Sequence, residues 1–392
     1  MSDELKEAMK RVYGGDKPAE YKSVGNDPKA KDLLKKIYGN AQLASKNLSN
    51  DEPKKITKED AKKIEQDVLQ ELKKSEVTKK TGYHSKEKIE LTTSVNPHIK
   101  NKENVNSIMW AVIISLLPAL IAGVYFFGMR ALWIILLGVV SASATEFIIV
   151  KLTKKDMTVM DGSAVITGLL LSLVLPPTVP LWVPVLGAIF SISIGKMIFG
   201  GLGHNIFNPA LVGRTFLMAS FPAIMTTWIL PDGVAGATPL GLWKLQGIKT
   251  SYMQLFVGNI GGSIGETSAI ALLIGAAFLL YKKVIDWRIP AGFIGAAAIF
   301  ALAFRQDVLF HILAGGLLIG AFFMATDYVT SPLTRNGKLI FGIGCGFLTM
   351  IFRLFSGYPE GVMFAILLMN ATTPLIDRFT KLKPFGYRKP AQ

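Results

Sequence analysis

The sequence predicts an all-α integral membrane protein, with about ten transmembrane helices arranged as two inverted five-helix repeats. Three observations support this fold class. Apolar runs close to the ~20 residues that a helix needs to cross a bilayer recur from Ile108 onward. Lys and Arg cluster in alternate loops between these runs, as they do in multi-pass membrane proteins. Both halves end in stretches that combine Gly, Asn and Pro, at 203–211 and 358–375.

The N-terminal part differs in composition from the rest of the chain. Residues 1–105 are rich in Lys and poor in large apolar residues, so we expect a cytoplasmic extension without a core of its own. Two segments, 6–14 and 31–39, resemble each other, and each has the pattern of a short amphipathic helix that ends in Gly. Two interpretations are open: docking helices for a cytoplasmic partner or anionic lipid, and a solvated tail.

Charge and cysteine content exclude several function classes. The chain has 392 residues and a net charge of +15, which on a membrane protein indicates topology rather than nucleic-acid binding. Its single cysteine, Cys345, lies in an apolar run, which argues against a disulfide framework and a thiolate metal site. The charged first residues lack the apolar stretch of a signal peptide. There is no Walker A motif, dinucleotide-binding fingerprint or metal-spaced His pair, so we expect no catalytic residue and no metal site.

The apolar runs divide into ten expected spans, five in a first membrane repeat (106–222) and five in a second (268–380). These spans are 108–127, 131–150, 162–176, 180–199, 208–222, 268–283, 287–304, 308–327, 338–355 and 360–377. The third and fifth are short and flanked by Gly and Pro. Short or broken membrane helices are tolerated only where protein buries them or where they line a cavity.

The basic residues then predict an orientation. The Lys-rich N-terminus should be cytoplasmic, and an even number of spans returns the tail 381–392 to the same side. The long connection 223–267 is therefore expected outside. It contains a loop from Asp232 to Leu240 that is rich in Gly and is flanked by Pro231 and Pro239. We expect a shaped surface loop whose Thr238 hydroxyl a modifying enzyme can reach, although most such loops have no special function.

Several ionisable residues lie within or at the ends of the spans. They are Glu146, Lys196, Arg214, His311, Asp327, Arg353 and Asp377. Such residues mark either an ion path or cofactor pocket, or a satisfied internal pair or snorkelling side chain. Glu146 and Asp377 are candidates for an ion path. Arg214 follows Asn208 and Pro209 on a short helix, so we expect the free amides of that helix start and the guanidinium to form one anion site. Asn205 and Asn208 add amide groups that suit a heteroaromatic edge such as isoalloxazine.

Several ordered motifs resemble the RnfD/NqrB family of membrane subunits. They lie at 93–99, 161–170, 199–210, 323–327 and 358–361, and the resemblance extends over about 92–388. The lead-in Pro97-His98-Ile99 and the sequence Gly201-Leu202-Gly203-His204-Asn205 favour the RnfD type over the NqrB type. The resemblance also implies a fold similar to that of urea transporters.

The resemblance gives Thr238 an implied role. In this family a loop of the form Asp-x-x-(Ser/Thr)-Gly-Ala-Thr receives FMN through a phosphoester bond to its last residue. Asp232, Gly236, Ala237 and Thr238 match this form, whereas Ala235 stands where Ser or Thr is preferred. An extracytoplasmic flavin transferase is the implied modifying enzyme. On the same basis Asn205, Asn208 and Arg214 are expected to line the FMN pocket. Some members also bind riboflavin non-covalently.

The implied function is that of a membrane subunit of the Rnf complex. Such a subunit relays electrons between ferredoxin and NAD⁺ and couples this flow to Na⁺ or H⁺ export. The implied partners are RnfA, RnfB, RnfC, RnfE and RnfG, in the cytoplasmic (inner) membrane of a bacterium or archaeon. Two alternatives remain from the sequence: an NqrB-type subunit of the Na⁺-translocating NADH:quinone reductase, and a urea-transporter-like channel. The coupling ion cannot be read from the chain.

Overall fold

A computed structural model describes residues 104–154 and 159–381. The two repeated N-terminal segments and most of the tail 381–392 lie outside the described residues. Within the described part the chain is helical and forms no β-strand, and an isolated bridge pairs Ile229 with Ala235. The prediction of an all-α protein is confirmed at this level.

The first half contains five principal helices. They are α1 (Val105–Phe127), α2 (Met129–Thr153), α3 (Ser163–Leu173), α4 (Trp182–Ser193) and α5 (Pro209–Ser220). Three short helices follow in the connection between the halves: α6 (Pro222–Met225), α7 (Pro239–Gln246) and α8 (Tyr252–Val257). Each of the five principal helices overlaps one expected span. A long apolar run that crosses a membrane forms a helix because its backbone groups must be hydrogen-bonded within the segment.

The second half contains α9 (Ala269–Tyr281), α10 (Arg288–Ala303), α11 (Val308–Leu313), α12 (Leu317–Ile319), a π-helix (Gly320–Met324), α13 (Arg335–Phe355) and α14 (Val362–Phe379). The expected eighth span at 308–327 is helical over most of its length but is not one continuous helix. The chain leaves the helix at Ala314, which is extended, and Gly315 has a φ of 69° that favours glycine. The span is therefore two helical pieces joined by a short irregular segment.

Five described helices are long and apolar enough to cross a membrane. They are Val105–Phe127, Met129–Thr153, Trp182–Phe199, Arg335–Phe355 and Val362–Phe379. Three shorter helices are also apolar: Ser163–Leu173, Ala269–Tyr281 and Arg288–Ala303. In α1 the exposed face carries large side chains such as Trp110 and Ile121, whereas the buried face combines the small residues Ala111, Ala119 and Gly123 with larger ones such as Leu116. This distribution suits a helix that faces lipid outside and packs closely inside.

Glycines bring helix backbones into direct contact within each half. On α13, a Cβ added at Gly342 would lie 2.5 Å from the Ile289 carbonyl oxygen, and one at Gly346 would lie 2.2 Å from that of Phe293. Larger residues would force α10 and α13 apart. In the first half, a Cβ at Gly168 on α3 would lie 2.5 Å from the Gly138 carbonyl oxygen on α2.

The two halves share a pattern of helix pairs. In the first half the second helix packs on the fourth (α2 on α4), and the fourth packs on the fifth (α4 on α5). In the second half α10 packs on α13, and α13 packs on α14. The first helices of the two halves, α1 and α9, pack on each other. The connection that contains α7 lies between these two sets of helices in the sequence.

Candidate functional site

Thr238 lies at the start of a short helix. It is the N-cap of α7, and its Oγ1 accepts a hydrogen bond of 3.1 Å from the Gly241 N–H. The residue is half-buried rather than fully exposed. The hydroxyl is therefore held at the positive end of α7, where the helix dipole stabilises negative charge.

A compact turn precedes Thr238. The Leu230 N–H donates to the Val234 carbonyl oxygen at 2.8 Å, and the Gly236 N–H donates to that of Trp228 at 3.2 Å. The exposed Asp232 accepts a hydrogen bond of 3.3 Å from the Val234 N–H, so its side chain stabilises the turn. A Cβ at Gly236 would lie 2.8 Å from Cγ of Leu230. Asp232 and Gly236 are therefore needed for the shape of this turn. Ala237, which is half-buried, directly precedes Thr238.

A small cavity of about 40 Å³ opens beside Thr238. Three charged residues, Arg214, Glu266 and Glu360, also line it. They come from α5, from the segment before α9 and from the segment before α14. The cavity therefore joins the connection to both halves of the chain.

Arg214 and Glu266 form a buried ion pair in this cavity. The Arg214 Nη1 donates to Glu266 Oε1 at 2.9 Å, and both side chains are at least nine-tenths buried. The Ser263 hydroxyl donates to the other carboxylate oxygen at 2.9 Å. Glu266 is not among the residues that the sequence patterns single out. The sequence did contain one feature that could have drawn attention to Glu266, which is the only acidic residue between Asp232 and Asp286.

Glu360 and Arg353 hold the irregular segment of the eighth span. The Gly316 N–H donates to Glu360 Oε2 at 2.9 Å, and Arg353 Nη2 donates to Oε1 at 3.2 Å. The fully buried Arg353 also donates to the carbonyl oxygens of His311 at 2.5 Å and Ala314 at 3.0 Å. These donors satisfy carbonyl groups that the helix break leaves without intrahelical partners.

Lys244 links α7 to the end of α13. Its ammonium donates to the carbonyl oxygens of Arg353, Ser356 and Tyr358 at 2.9, 2.5 and 3.0 Å. Burial lowers the pKa of Lys244 from its ordinary value. Carbonyls at a helix C-terminus attract a cation, so this contact fastens the helix that begins at Thr238 to the second half.

The start of α5 does not form the expected anion site. Asn208 caps it, because its Oδ1 accepts hydrogen bonds from the N–H groups of Ala210 and Leu211 at 3.1 and 3.4 Å. The expectation that free amides at this start act together with Arg214 is wrong. The signal was ambiguous because an Asn before a Pro is also a standard helix cap.

Asn205 and Asn208 line a different cavity from Thr238. Its volume is about 100 Å³, and Lys196 and Asp327 also line it. The Asn208 amide donates to the Met324 carbonyl oxygen at 3.2 Å. Of the residues expected around one flavin, the structure thus brings Arg214 to Thr238 and places the two asparagines elsewhere.

The two candidate ion-path residues lie in separate environments. Glu146 is fully buried on α2, and Lys196 Nζ donates to its two oxygens at 2.9 and 2.7 Å. Lys196 also donates to the Ser163 hydroxyl at 2.6 Å. Asp377, on α14, is half-buried and accepts a hydrogen bond of 3.0 Å from the Leu333 N–H. Their role in ion transport stays a prediction. Within 104–154 and 159–381, no group of three or more His, Cys, Asp or Glu side chains is arranged for a metal ion.

Comparison with known sequences gives the family. Residues 92–386 match the NQR2, RnfD, RnfE family. The chain belongs to this family. Its apolar helices and this membership make it a multi-pass membrane protein.

The match to curated relatives extends over nearly the whole length of each relative. The D subunit of the Na⁺-translocating ferredoxin:NAD⁺ oxidoreductase complex of Acetobacterium woodii is 51% identical over 77% of this chain and 97% of the relative. Its counterpart in the proton-translocating ferredoxin:NAD⁺ oxidoreductase complex of Clostridium ljungdahlii is 48% identical over 76% and 97%. The counterpart in the ion-translocating oxidoreductase complex of Methanosarcina acetivorans is 39% identical over 75% and 97%. The first two are almost equally similar and differ in the named ion, so overall similarity does not identify the coupling ion.

Proposed function

We propose that this chain is the D-type membrane subunit of an ion-translocating ferredoxin:NAD⁺ oxidoreductase complex, the Rnf complex. It relays electrons through FMN that is bound covalently to Thr238, and the complex couples this flow to the export of Na⁺ or H⁺. Family membership and the names of relatives at up to 51% identity support the assignment. The observation that supports the flavin site is the position of Thr238, as the cap of α7 in a cavity that Arg214 also lines.

The residues present suit a phosphoester. The Thr238 oxygen would lose its proton and bond to phosphorus, while a nucleoside monophosphate leaves from a flavin dinucleotide donor held by the transferase. The side chain beside it is basic, and the Nε of Arg214 is buried without a hydrogen-bond partner among the described residues. When bound, FMN supplies one- and two-electron transfer, and the chain holds it in place. Non-covalent riboflavin is a further proposed cofactor of the chain.

The proposed architecture has two inverted five-helix repeats similar to those of urea transporters. The first repeat is 106–222 and the second is 268–380, joined by the extracytoplasmic connection 223–267 that contains Thr238. The equivalent helix pairs in the two halves support this division. The extension 1–105 and the tail 381–392 are cytoplasmic, and the membrane is the cytoplasmic (inner) membrane. The partners are RnfA, RnfB, RnfC, RnfE, RnfG and an extracytoplasmic flavin transferase.

Covalent flavin attachment distinguishes this function from that of a urea-transporter-like channel. The full-length chain is expressed together with a flavin transferase, purified from membranes and run on a denaturing gel under ultraviolet light. We expect a fluorescent band in the wild type and none in Thr238→Ala. Thr226→Ala and Thr227→Ala are matched controls, because both hydroxyls are on the same connection and bond only to carbonyl oxygens of the preceding turn. They should keep the band.

Two outcomes contradict the proposal. One is a wild-type protein without fluorescence although the transferase labels another substrate in the same cells. The other is a band of equal intensity in Thr238→Ala. An NqrB-type subunit would pass this test, so co-purification is the second arm: RnfB and RnfC are expected, and NqrF would favour the alternative.

A further inference from the structure

We propose that Arg214 binds the phosphodiester that joins the flavin to Thr238, and that Glu266 is the positioning residue that holds the Arg214 guanidinium. This inference rests on the proposed function, because it requires a flavin on Thr238. It adds a phosphate-binding role for Arg214 and a positioning role for Glu266. The ion pair between them joins residues that are 52 positions apart, so the sequence alone does not show it.

Arg214 has donors to spare in the shared cavity. It is 7% exposed, and of its guanidinium nitrogens only Nη1 makes a hydrogen bond within the described part of the chain. Nε is buried without a partner. A buried donor without an acceptor is destabilising, so a ligand that supplies acceptors is favoured. Phosphate oxygens match the planar guanidinium well, and Arg is the residue best suited to bind them in pairs.

Glu266 fixes the direction in which Arg214 points. Its carboxylate is buried and receives the Ser263 hydroxyl at 2.9 Å as well as Arg214 Nη1. Gly316 makes room for it, because a Cβ at that position would lie 2.8 Å from Glu266 Oε1. Since one side of the guanidinium is occupied by Glu266, the remaining donors are left for the cavity that Thr238 lines.

The charged side chains that line the cavity are Arg214, Glu266 and Glu360. Each carboxylate is paired with a buried guanidinium, Glu266 with Arg214 and Glu360 with Arg353, so the two pairs are balanced. The half-buried Lys244, which donates to the carbonyl oxygen of Arg353, adds a positive charge next to this set. A phosphodiester carries one negative charge, which this ammonium favours. The N-terminus of α7 adds a further favourable dipole at Thr238.

The experiment uses the full-length flavinylated protein in detergent, with the fluorescence anisotropy of the tethered flavin and its ³¹P resonance as readouts. The variants are Arg214→Gln/Glu266→Gln, Arg214→Lys and Glu266→Gln. The double variant removes both charges together, so that neither is left buried alone. Arg305→Gln is the control, because Arg305 is exposed on a loop away from the cavity. Anisotropies are compared at equal flavin content.

We expect the double variant to lower the anisotropy towards that of the denatured flavinylated protein and to shift the ³¹P resonance. Glu266→Gln should give an intermediate change, and Arg214→Lys should restore part of the wild-type value. Loss of flavin attachment in the double variant, with attachment kept in Arg214→Lys, also supports a phosphate contact. Wild-type anisotropy and ³¹P resonance in the double variant would overturn the inference. A wild-type protein that carries no flavin would instead overturn the proposed function.

Discussion

The buried pair of Glu146 and Lys196 gives a quantitative test of the packing in the first half. Lys196 is 2% exposed, Glu146 is fully buried, and two contacts of 2.7 and 2.9 Å join them. We consider Lys196→Met, which keeps the volume of the side chain and removes the ammonium. Ser163 retains a partner, because its hydroxyl also bonds to Asp161 at 2.5 Å.

The magnitude follows from the cost of breaking a buried pair. Removal of one partner from a buried ion pair typically costs about 3–5 kcal/mol, because the other charge remains in a medium of low polarity. Unfolding entropy of about 2.1 cal/mol/K per residue, over a described part of roughly 270 residues, converts this into a fall in Tm of about 5–9 °C. Replacement of both partners by apolar residues, in Lys196→Met/Glu146→Leu, should recover most of that loss.

The assay is thermal unfolding of the purified variants in one detergent, followed by intrinsic tryptophan fluorescence. We expect the single variant to unfold well below the wild type and the double variant to unfold close to it. A single variant as stable as the wild type would refute the reasoning, and so would a double variant less stable than the single one. The same double variant, assembled in the complete complex in vesicles, tests the ion-path prediction for Glu146: loss of ion uptake with normal Tm and flavin content would support it.

Three further predictions concern other parts of the fold. Gly346→Ala should destabilise the protein by about 1–3 kcal/mol, because its Cβ would meet a carbonyl oxygen at 2.2 Å, whereas Gly295→Ala, with nothing within 4 Å, should be neutral or stabilising by Tm. Asn208→Ala should cost about 2 kcal/mol by the same measurement, since a helix cap and a buried hydrogen bond are lost together. The third concerns pH. A hydrogen bond from Tyr252 lowers the pKa of Asp307 below its usual range against the opposing effect of burial. This contribution to stability is complete above the ordinary Asp pKa of about 3.9 and is lost as pH falls through the lower pKa of the folded state. Tm should therefore fall more steeply below about pH 4 in the wild type than in Asp307→Asn, and equal slopes would contradict the contact.

The sequence predicted helices well and side-chain partners poorly. All ten expected spans overlap helical segments, because a long apolar run in a membrane protein has few alternatives to helix. The break at Gly315 was not expected, since the residues around it are as apolar as those of the other spans. Its stability comes from Arg353 and Glu360, which are distant in sequence from the break, and no local pattern reveals such contacts.

The candidate site was predicted in part. A motif identified the loop with Thr238, and Arg214 was selected because a charge in a short apolar helix is expensive. The contact between Arg214 and Glu266 joins residues that are 52 positions apart, so it depends on the tertiary fold. Asn205 and Asn208 were grouped with Arg214 because they are near it in the sequence, but Arg214 lies near the middle of α5, about 9 Å along the helix axis from its cap at Asn208. The cap at Asn208 and the pair at Arg214 consequently serve different cavities.

The attachment of FMN to Thr238 is the central claim, and peptide mass spectrometry tests it most directly. The tryptic peptide 215–244, from protein expressed with a flavin transferase, contains Thr215, Thr226 and Thr227 as well as Thr238. We predict a mass increase of one FMN less one water, and fragment ions that locate it on Thr238. A wholly unmodified peptide, or an adduct on any of the other threonines, would contradict the account.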